Sequence, residues 1–273
     1  MIVSREPFHE GELEVQRRAG VASMAARVGG MIRSVLPPAA QEFLRSQTML
    51  IAGAADERGA LWATILTGAA GFAAAIDETR VHIDALPVLP RVDAGADIGL
   101  LAIELATRRR MRVNGVVTSI SDRGFTVDAR EVFSNCPKYI TPRTVALPAS
   151  NRAPSASNAL SDSQRAWITN ADTFFIATQH TERGADVSHR GGPPGFVQVS
   201  DDGSTLTWPD YQGNMMFQTL GNLARDDRAG LLLVDFTSGS TLQLTGHASI
   251  EWSGEERAVM FRVRNVVETR TAA

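Results

Sequence analysis

Two stretches of the 273-residue chain gather side chains able to hold an anion. The first is Asp186-Val-Ser188-His189-Arg190-Gly-Gly192-Pro-Pro-Gly195-Phe196, which puts a serine, a histidine and an arginine at a strand end before a stiff glycine–proline turn. The second, Trp208-Pro-Asp-Tyr-Gln-Gly-Asn214-Met-Met-Phe-Gln-Thr219, runs from a strand into the start of a helix. A helix start presents free backbone N–H groups and a field that favours negative charge. Asn214 and Thr219 add side-chain donors, and the Arg190 guanidinium is able to grip a phosphate through two parallel hydrogen bonds. Read singly, Arg190 is equally a surface charge and Asn214 a plain helix cap. A third stretch, Arg108-Arg-Arg110-Met-Arg112-Val-Asn114-Gly115, sets Arg110, Arg112 and Asn114 on one face of a strand. That face is either a basic wall facing a pocket or a solvated edge that resists unwanted strand pairing. In Asn135-Cys-Pro-Lys138-Tyr139-Ile140, Cys136 reads as a spectator, while Lys138 and Tyr139 are within reach of a cleft between two halves of the chain.

Other chemistries lack their residues. There is no Gly-x-Gly-x-x-Gly, no nucleotide phosphate loop and no Gly-x-Ser-x-Gly elbow. The five histidines (9, 82, 180, 189 and 247) show no metal-ligand spacing, so no metal site is expected. A single cysteine excludes a disulfide framework, a cysteine zinc ribbon and a cysteine-ligated iron–sulfur cluster. With 27 basic and 30 acidic side chains, the net charge of −3 does not suit a nucleic-acid binder. The first fourteen residues carry no apolar run, and the stretch from Ile65 to Ile76 is broken by glycines and too short for a bilayer. The expectation is a cytoplasmic protein with a small-molecule partner and no nucleic-acid or membrane partner.

The elements that must position these residues come in two copies. Thr48 to Gly59 resembles Thr173 to Gly184, with Glu57-Arg-Gly matching Glu182-Arg-Gly. Gly71-Phe72 matches Gly195-Phe196, Asp77 matches Asp201, Gly99-Leu-Leu matches Gly230-Leu-Leu, and Gly115 matches Gly246, all in the same order. A proline-rich stretch from Thr141 to Leu160 separates the copies, with the boundary near Pro148. The expected units are a helical extension over 1–36, a first repeat over 37–147 and a second over 148–273. Each repeat opens with a helix; the second is announced by the capping box Ser161-Asp-Ser-Gln164. Short strands with tight turns follow, at Asp201-Asp-Gly203, Ser238-Gly239 and Ser121 to Gly124. A further helix is expected from Asn214 to Asp227. The pattern is mainly β with short helices, in the form of two small barrels. Where the second copy has His189 and Arg190, the first has Ile65 and Leu66, and it also lacks the 212–219 insert. Folding alone gives no reason for polar groups in one copy only, so the second repeat reads as the binding copy.

The blocks Glu182 to Asp186, Ser188 to Gly192, Pro209 to Asn214, Thr219 to Leu223 and Leu242-Gln-Leu-Thr-Gly246 resemble the pyridoxamine 5′-phosphate oxidase-like, FMN-binding split-barrel family. The blocks 109–115 and 135–140 are similar to a tandem subgroup of it. The resemblance covers most of residues 40–265. It implies two tandem split β-barrels with FMN at the interface between barrels, formed within one chain or in a homodimer. It implies Ser188, His189, Arg190, Asn214 and Thr219 near the phosphate and ribityl chain and Gln243 near the flavin; to these the readings of the arginine run and of 135–140 add Arg112 and Lys138 as cofactor contacts from the first repeat. The activity implied is that of an FMN-dependent oxidoreductase, or alternatively of a non-catalytic flavin-binding or flavin-sensing protein. The carboxyl-terminal Arg-x-His grip of true pyridoxamine phosphate oxidases is missing, which argues against vitamin B6 as substrate.

Overall fold

The computed structural model describes residues 6–145 and 153–271. Three short helices come first: α1 (Glu10–Arg18), α2 (Ala22–Gly29) and α3 (Pro38–Arg45). The amino-terminal helical pattern is split in two because Gly20, with φ of 68°, turns the chain between α1 and α2. Seven strands follow: β1 (Met49–Ala55), β2 (Leu61–Thr67), β3 (Ala73–Ala75), β4 (Arg80–Ile83), β5 (Asp97–Glu104), β6 (Arg109–Ile120) and β7 (Phe125–Ser134). They form one antiparallel sheet in the order β2-β1-β5-β6-β7-β4-β3. After β8 (Ser155–Ser157) comes α4 (Asp162–Asn170), capped by Ser161 and Gln164 as its sequence requires. Then follow β9 (Thr173–His180), β10 (Gly184–Gly191), β11 (Gln198–Val199), β12 (Thr205–Pro209), α5 (Gln218–Leu223), β13 (Arg228–Val234), β14 (Thr241–Ser253) and β15 (Glu256–Thr269).

The second sheet runs β10-β9-β13-β14-β15-β12-β11, with β8 added beside β15. Strand for strand this is the path of the first. One irregularity repeats as well: register slips at Asn114/Gly115 in one sheet and at Thr245/Gly246 in the other, while a second slip at Val117/Ser119 belongs to the first sheet. Both glycines are needed there, since a Cβ would lie 2.1 Å from the Asp128 carbonyl or 2.0 Å from that of Arg262. The ladders also correct two matches. Gly53 faces Gly99 where Ala177 faces Gly230, so β1 aligns with β9 one residue earlier than the match of Thr48 with Thr173 implies. Arg80 faces Asp128 where Thr205 faces Arg262, so Asp77 corresponds to Asp202 and not to Asp201. Asp77 and Asp202 do the same work, each accepting from the backbone N–H two residues on. The proposed boundary near Pro148 lies outside the described residues.

Each sheet curls as a split barrel around its own apolar core, one centred on Leu50, Ile98 and Phe125, the other on Phe174, Leu231 and Phe261. A third core joins them, with Ile51 and Leu101 from the first repeat against Phe175, Val187 and Leu232 from the second. The contact is reciprocal. A Cβ on Gly99 of β5 would lie 2.8 Å from the backbone of Asp186 on β10, and one on Gly230 of β13 would lie 2.6 Å from Trp62 Cα on β2. Gly53 meets Ala177, its own counterpart. Equivalent groups touching crosswise are the mark of a two-fold interface, here contained in one chain.

The amino-terminal helix docks on the second repeat. Gly11 and Gly221 allow α1 and α5 to touch, a Cβ on Gly11 lying 2.2 Å from the Gly221 carbonyl. His9 Nδ1 accepts from Gly11 N–H, so its Nε2–H donates to Asn222 Oδ1 at 3.0 Å. Gln16 donates to the Met216 carbonyl. Among the described residues no helix is long and apolar enough to cross a membrane.

Candidate functional site

A cavity of about 100 Å³ opens where the two sheets meet. The end of β10 supplies Ser188, His189 and Arg190; the connection from β12 to α5 supplies Asp210, Tyr211 and Asn214; the start of α5 supplies Gln218 and Thr219. From the first repeat, β6 contributes Arg110 and Arg112, and the segment after β7 brings Lys138 and Tyr139. Seven of the residues singled out in the sequence thus surround one cavity: Ser188, His189, Arg190, Asn214, Thr219, Arg112 and Lys138.

The alternative of a solvated edge for the arginine run does not hold, because β6 lies between β5 and β7 and Arg112 is 5% exposed. Its Nη1 makes two bonds to the Asp186 carboxylate, at 2.9 and 3.0 Å. Asn114 Nδ2 and Ser188 Oγ also donate to Asp186, each at 3.1 Å, and Thr219 Oγ1 donates to Ser188 Oγ at 2.8 Å. This network fastens β6 of one repeat to β10 and α5 of the other. Asp186 is buried, and a buried carboxylate is tolerable only with such a full set of donors.

What remains is positive and under-satisfied. Arg110 donates to the Cys136 carbonyl, and its Nε is buried with no partner. Arg190 donates to the His189 carbonyl and approaches Asp210 at 4.0 Å, but Asp210 is held at 3.1 Å by Arg257; Arg190 Nε has no partner. Gln218 Nε2 and His189 Nε2 are also buried and unpaired. Burial, followed by the nearby Arg112 and Arg190 charges, pulls the Arg110 pKa down to about 9. Burial also lowers Arg190, with Arg112 adding to it against the pull of Asp210. His189 is driven well below its ordinary range by burial and then by Arg110 and Arg190, so it is neutral. An anion in the cavity would relieve all three.

The backbone carries strain here. Tyr139, Met215 and Phe217, all on the cavity wall, have φ of 63–64°. Side chains rarely accept that conformation, and where it persists it commonly marks a functional site. Met215 and Phe217 also explain why the helix expected from Asn214 begins only at Gln218: two left-handed residues interrupt it. Asn214 sits in the preceding loop, its Oδ1 accepting from Met216 N–H. The positive field therefore comes from arginines rather than from a long helix. Tyr139 and Tyr211, one from each repeat, stack at 5.1 Å at the cavity wall, and Tyr139 donates to the Gln212 carbonyl. Gly191 lets the Tyr139 segment come close, since a Cβ there would lie 1.9 Å from the Tyr139 oxygen.

Residues 160–270 match the family model described as pyridoxamine 5′-phosphate oxidase. The match falls within the second repeat. No curated protein matches the chain. Among solved structures, HupZ of Group A Streptococcus is 13% identical, with 42% of this chain and 99% of that one covered and a TM-score of 0.33. A putative pyridoxamine 5′-phosphate oxidase from Corynebacterium glutamicum is 7% identical (42% and 95% covered, TM-score 0.30). HutZ, a heme storage protein from Vibrio cholerae, is 11% identical (38% and 92% covered, TM-score 0.27).

Gln243 does not line this cavity. Its Nε2 donates to the carbonyls of Ala63 and Leu89 in the first repeat. It occupies on β14 the place that Arg112 occupies on β6, two residues before the equivalent residue in each ladder (Asn114, Thr245). The crosswise interface therefore creates two equivalent locations, and Gln243 belongs to the second. Sequence reading gave no role to Asp186, the hub of the network, whereas Arg110 lies in the basic wall that the arginine run predicts. The signal for Asp186 was its counterpart, Trp62, a large apolar residue in the other copy. His9, Glu10 and His180 bring possible ligand atoms within 4.8 Å of one another. Backbone N–H groups of Gly11 and Glu182 fill the Nδ1 lone pairs of the two histidines, and their Nε2 atoms bond Asn222 and Glu10.

Proposed function

We propose that the cavity holds the phosphate end of FMN and that the protein is an FMN-dependent oxidoreductase for a small molecule. The observation that carries this reading is the convergence of Arg110, Arg190 and Lys138 with buried unpaired donors on a cavity of about 100 Å³. That volume suits a phosphate group and is well below the roughly 300 Å³ at which pockets for whole organic ligands begin, so the flavin ring would lie outside it. The family of the second repeat supports the same ligand class. Arg110, Arg190 and Lys138 neutralise the phosphate, Asn214 Nδ2 is free to donate, and the neutral His189 offers a ring nitrogen without adding charge. Arg112 and Asp186 act as positioning residues that hold the two walls together. Bound flavin would supply two-electron redox chemistry, with the protein providing binding and orientation.

The test is a comparison of FMN with riboflavin, which lacks the phosphate, by titration into apoprotein. FMN is expected to bind at least a hundredfold more tightly; equal affinity would overturn the phosphate assignment. Release of the cofactor from purified protein and its mass spectrum identify it directly. Bound flavin that no donor reduces would leave a binding protein in place of an enzyme.

A further inference from the structure

A groove of about 800 Å³ adjoins the anion cavity and shares Phe196, Pro209, Asp210 and Tyr211 with it. Its volume lies within the range of small-molecule sites, roughly 300–1,000 Å³. Trp208, Phe196 and Trp252 give it an aromatic lining, and the buried Trp208 Nε1 has no acceptor. The hairpin between β14 and β15 closes one side with Glu251, Glu255 and Glu256, all exposed. Among the described residues none of these three carboxylates forms an ion pair. Among the residues lining the groove the cation is Arg257, which is engaged by Asp210 at 3.1 Å and lies over the rings of Phe217 and Trp252; Arg18, from outside the lining, lies over the Trp252 ring at 4.4 Å. So the two neighbouring recesses have opposite character: the cavity is cationic, the groove aromatic with an anionic rim.

We infer that the groove binds a small organic cation with a flat apolar body, the ring system lying along the aromatic lining and the positive group toward the glutamates. Aromatic faces attract cations and tolerate apolar surface equally well. The uncompensated carboxylates exclude anions and raise the local concentration of cations. A phosphorylated substrate does not suit this rim. Binding of such a ligand does not depend on flavin; its role as the molecule acted upon rests on the flavin reading, through the wall that groove and cavity share.

The probe is 2-naphthylmethylamine, titrated calorimetrically into the full chain with no flavin added, beside 2-naphthoate as its anionic counterpart. The amine is expected to bind at least tenfold more tightly than the carboxylate. In the variant Glu251→Gln/Glu255→Gln/Glu256→Gln the preference should fall by tenfold or more. The three residues are exposed at a hairpin, so the fold tolerates the change. Arg190→Ala, which weakens the cavity, should leave amine binding unchanged. Equal binding of amine and carboxylate, or an unaltered preference in the glutamine variant, would overturn the inference. If the amine binds as described while FMN does not, the flavin reading fails and the groove stands.

Discussion

The two repeats offer the same strand path and the same interface, yet the two equivalent locations at that interface differ in character: one is a cationic cavity, the other closes on apolar side chains and backbone carbonyls. Each pocket pairs the β2- or β10-type strand of one repeat with the β6- or β14-type strand of the other. In one, β10 brings Ser188, His189 and Arg190 against Arg110 and Arg112 of β6. In the other, Ile65 and Leu66 of β2 stand where His189 and Arg190 would, and Gln243 of β14 closes on the Ala63 and Leu89 carbonyls. The connection between strands differs in the same sense. Residues 84–96 join β4 to β5, whereas 210–227 join β12 to β13 and include α5 with its two left-handed residues. Duplication gave two equivalent locations, and the comparison teaches that the same strand path accepts apolar groups at the positions of His189 and Arg190. On the function proposed above, the charge found on one side only serves a ligand.

The comparison can be broken most forcefully at the network beneath the retained pocket. Arg112→Ala leaves Asp186 buried beside only neutral donors, and about 3–5 kcal/mol of stability should be lost; denaturant unfolding measures it. A loss below 1 kcal/mol would mean the ion pair does not hold the walls. Next comes the cavity itself. Arg190→Ala should cost about 1.5–3 kcal/mol of FMN affinity with little change in melting temperature, read by titration. Gln243→Ala is the matched experiment on the other side. It should cost about 1–3 kcal/mol of stability, because two carbonyls lose their donor, and leave FMN affinity as it was. If Gln243→Ala weakens FMN binding as much as Arg190→Ala does, the assignment of the two sides is wrong.

The smallest effect concerns α1, which buttresses α5 and so only the retained pocket. Burial, chiefly, raises Glu12 to about 8, while burial and then the His180 charge lower His9 to about 4. Folded protein holds the Glu12 proton that unfolded protein has released above its ordinary carboxylate range. This contribution to stability is therefore lost as pH rises through 8. His9 acts in the opposite sense: its contribution is full above the ordinary histidine value and is lost as pH falls through 4. Stability should thus decline between about pH 6.5 and 8, where only Glu12 titrates, by on the order of 1–2 kcal/mol. Glu12→Gln should flatten the decline in calorimetric scans across that window; a profile identical to the parent would remove Glu12 from the account.

Much of this was legible in the sequence because the repeat carries its own control. Gly115 and Gly246 mark the same close approach of strands, and the Ser161–Gln164 cap fixes α4. The site stretches on β10 and β6 stood out because the two copies differ there in polarity. Gln243 lies apart from the cavity for a physical reason. A crosswise interface swaps partners, so a residue on a late strand of the second repeat faces the pocket of the first. Asp186 escaped notice because its meaning lies in a contact with Arg112, 74 residues away. The α5 boundary was hidden by left-handed Met215 and Phe217, residue types that do not announce such a conformation.

The most direct measurement is the stoichiometry of FMN binding to apoprotein by calorimetric titration, with the concentration of chains known. One retained pocket per chain requires one FMN per chain, with that binding weakened by Arg190→Ala and untouched by Gln243→Ala. Two equivalents per chain, or binding that Gln243→Ala impairs, would contradict it.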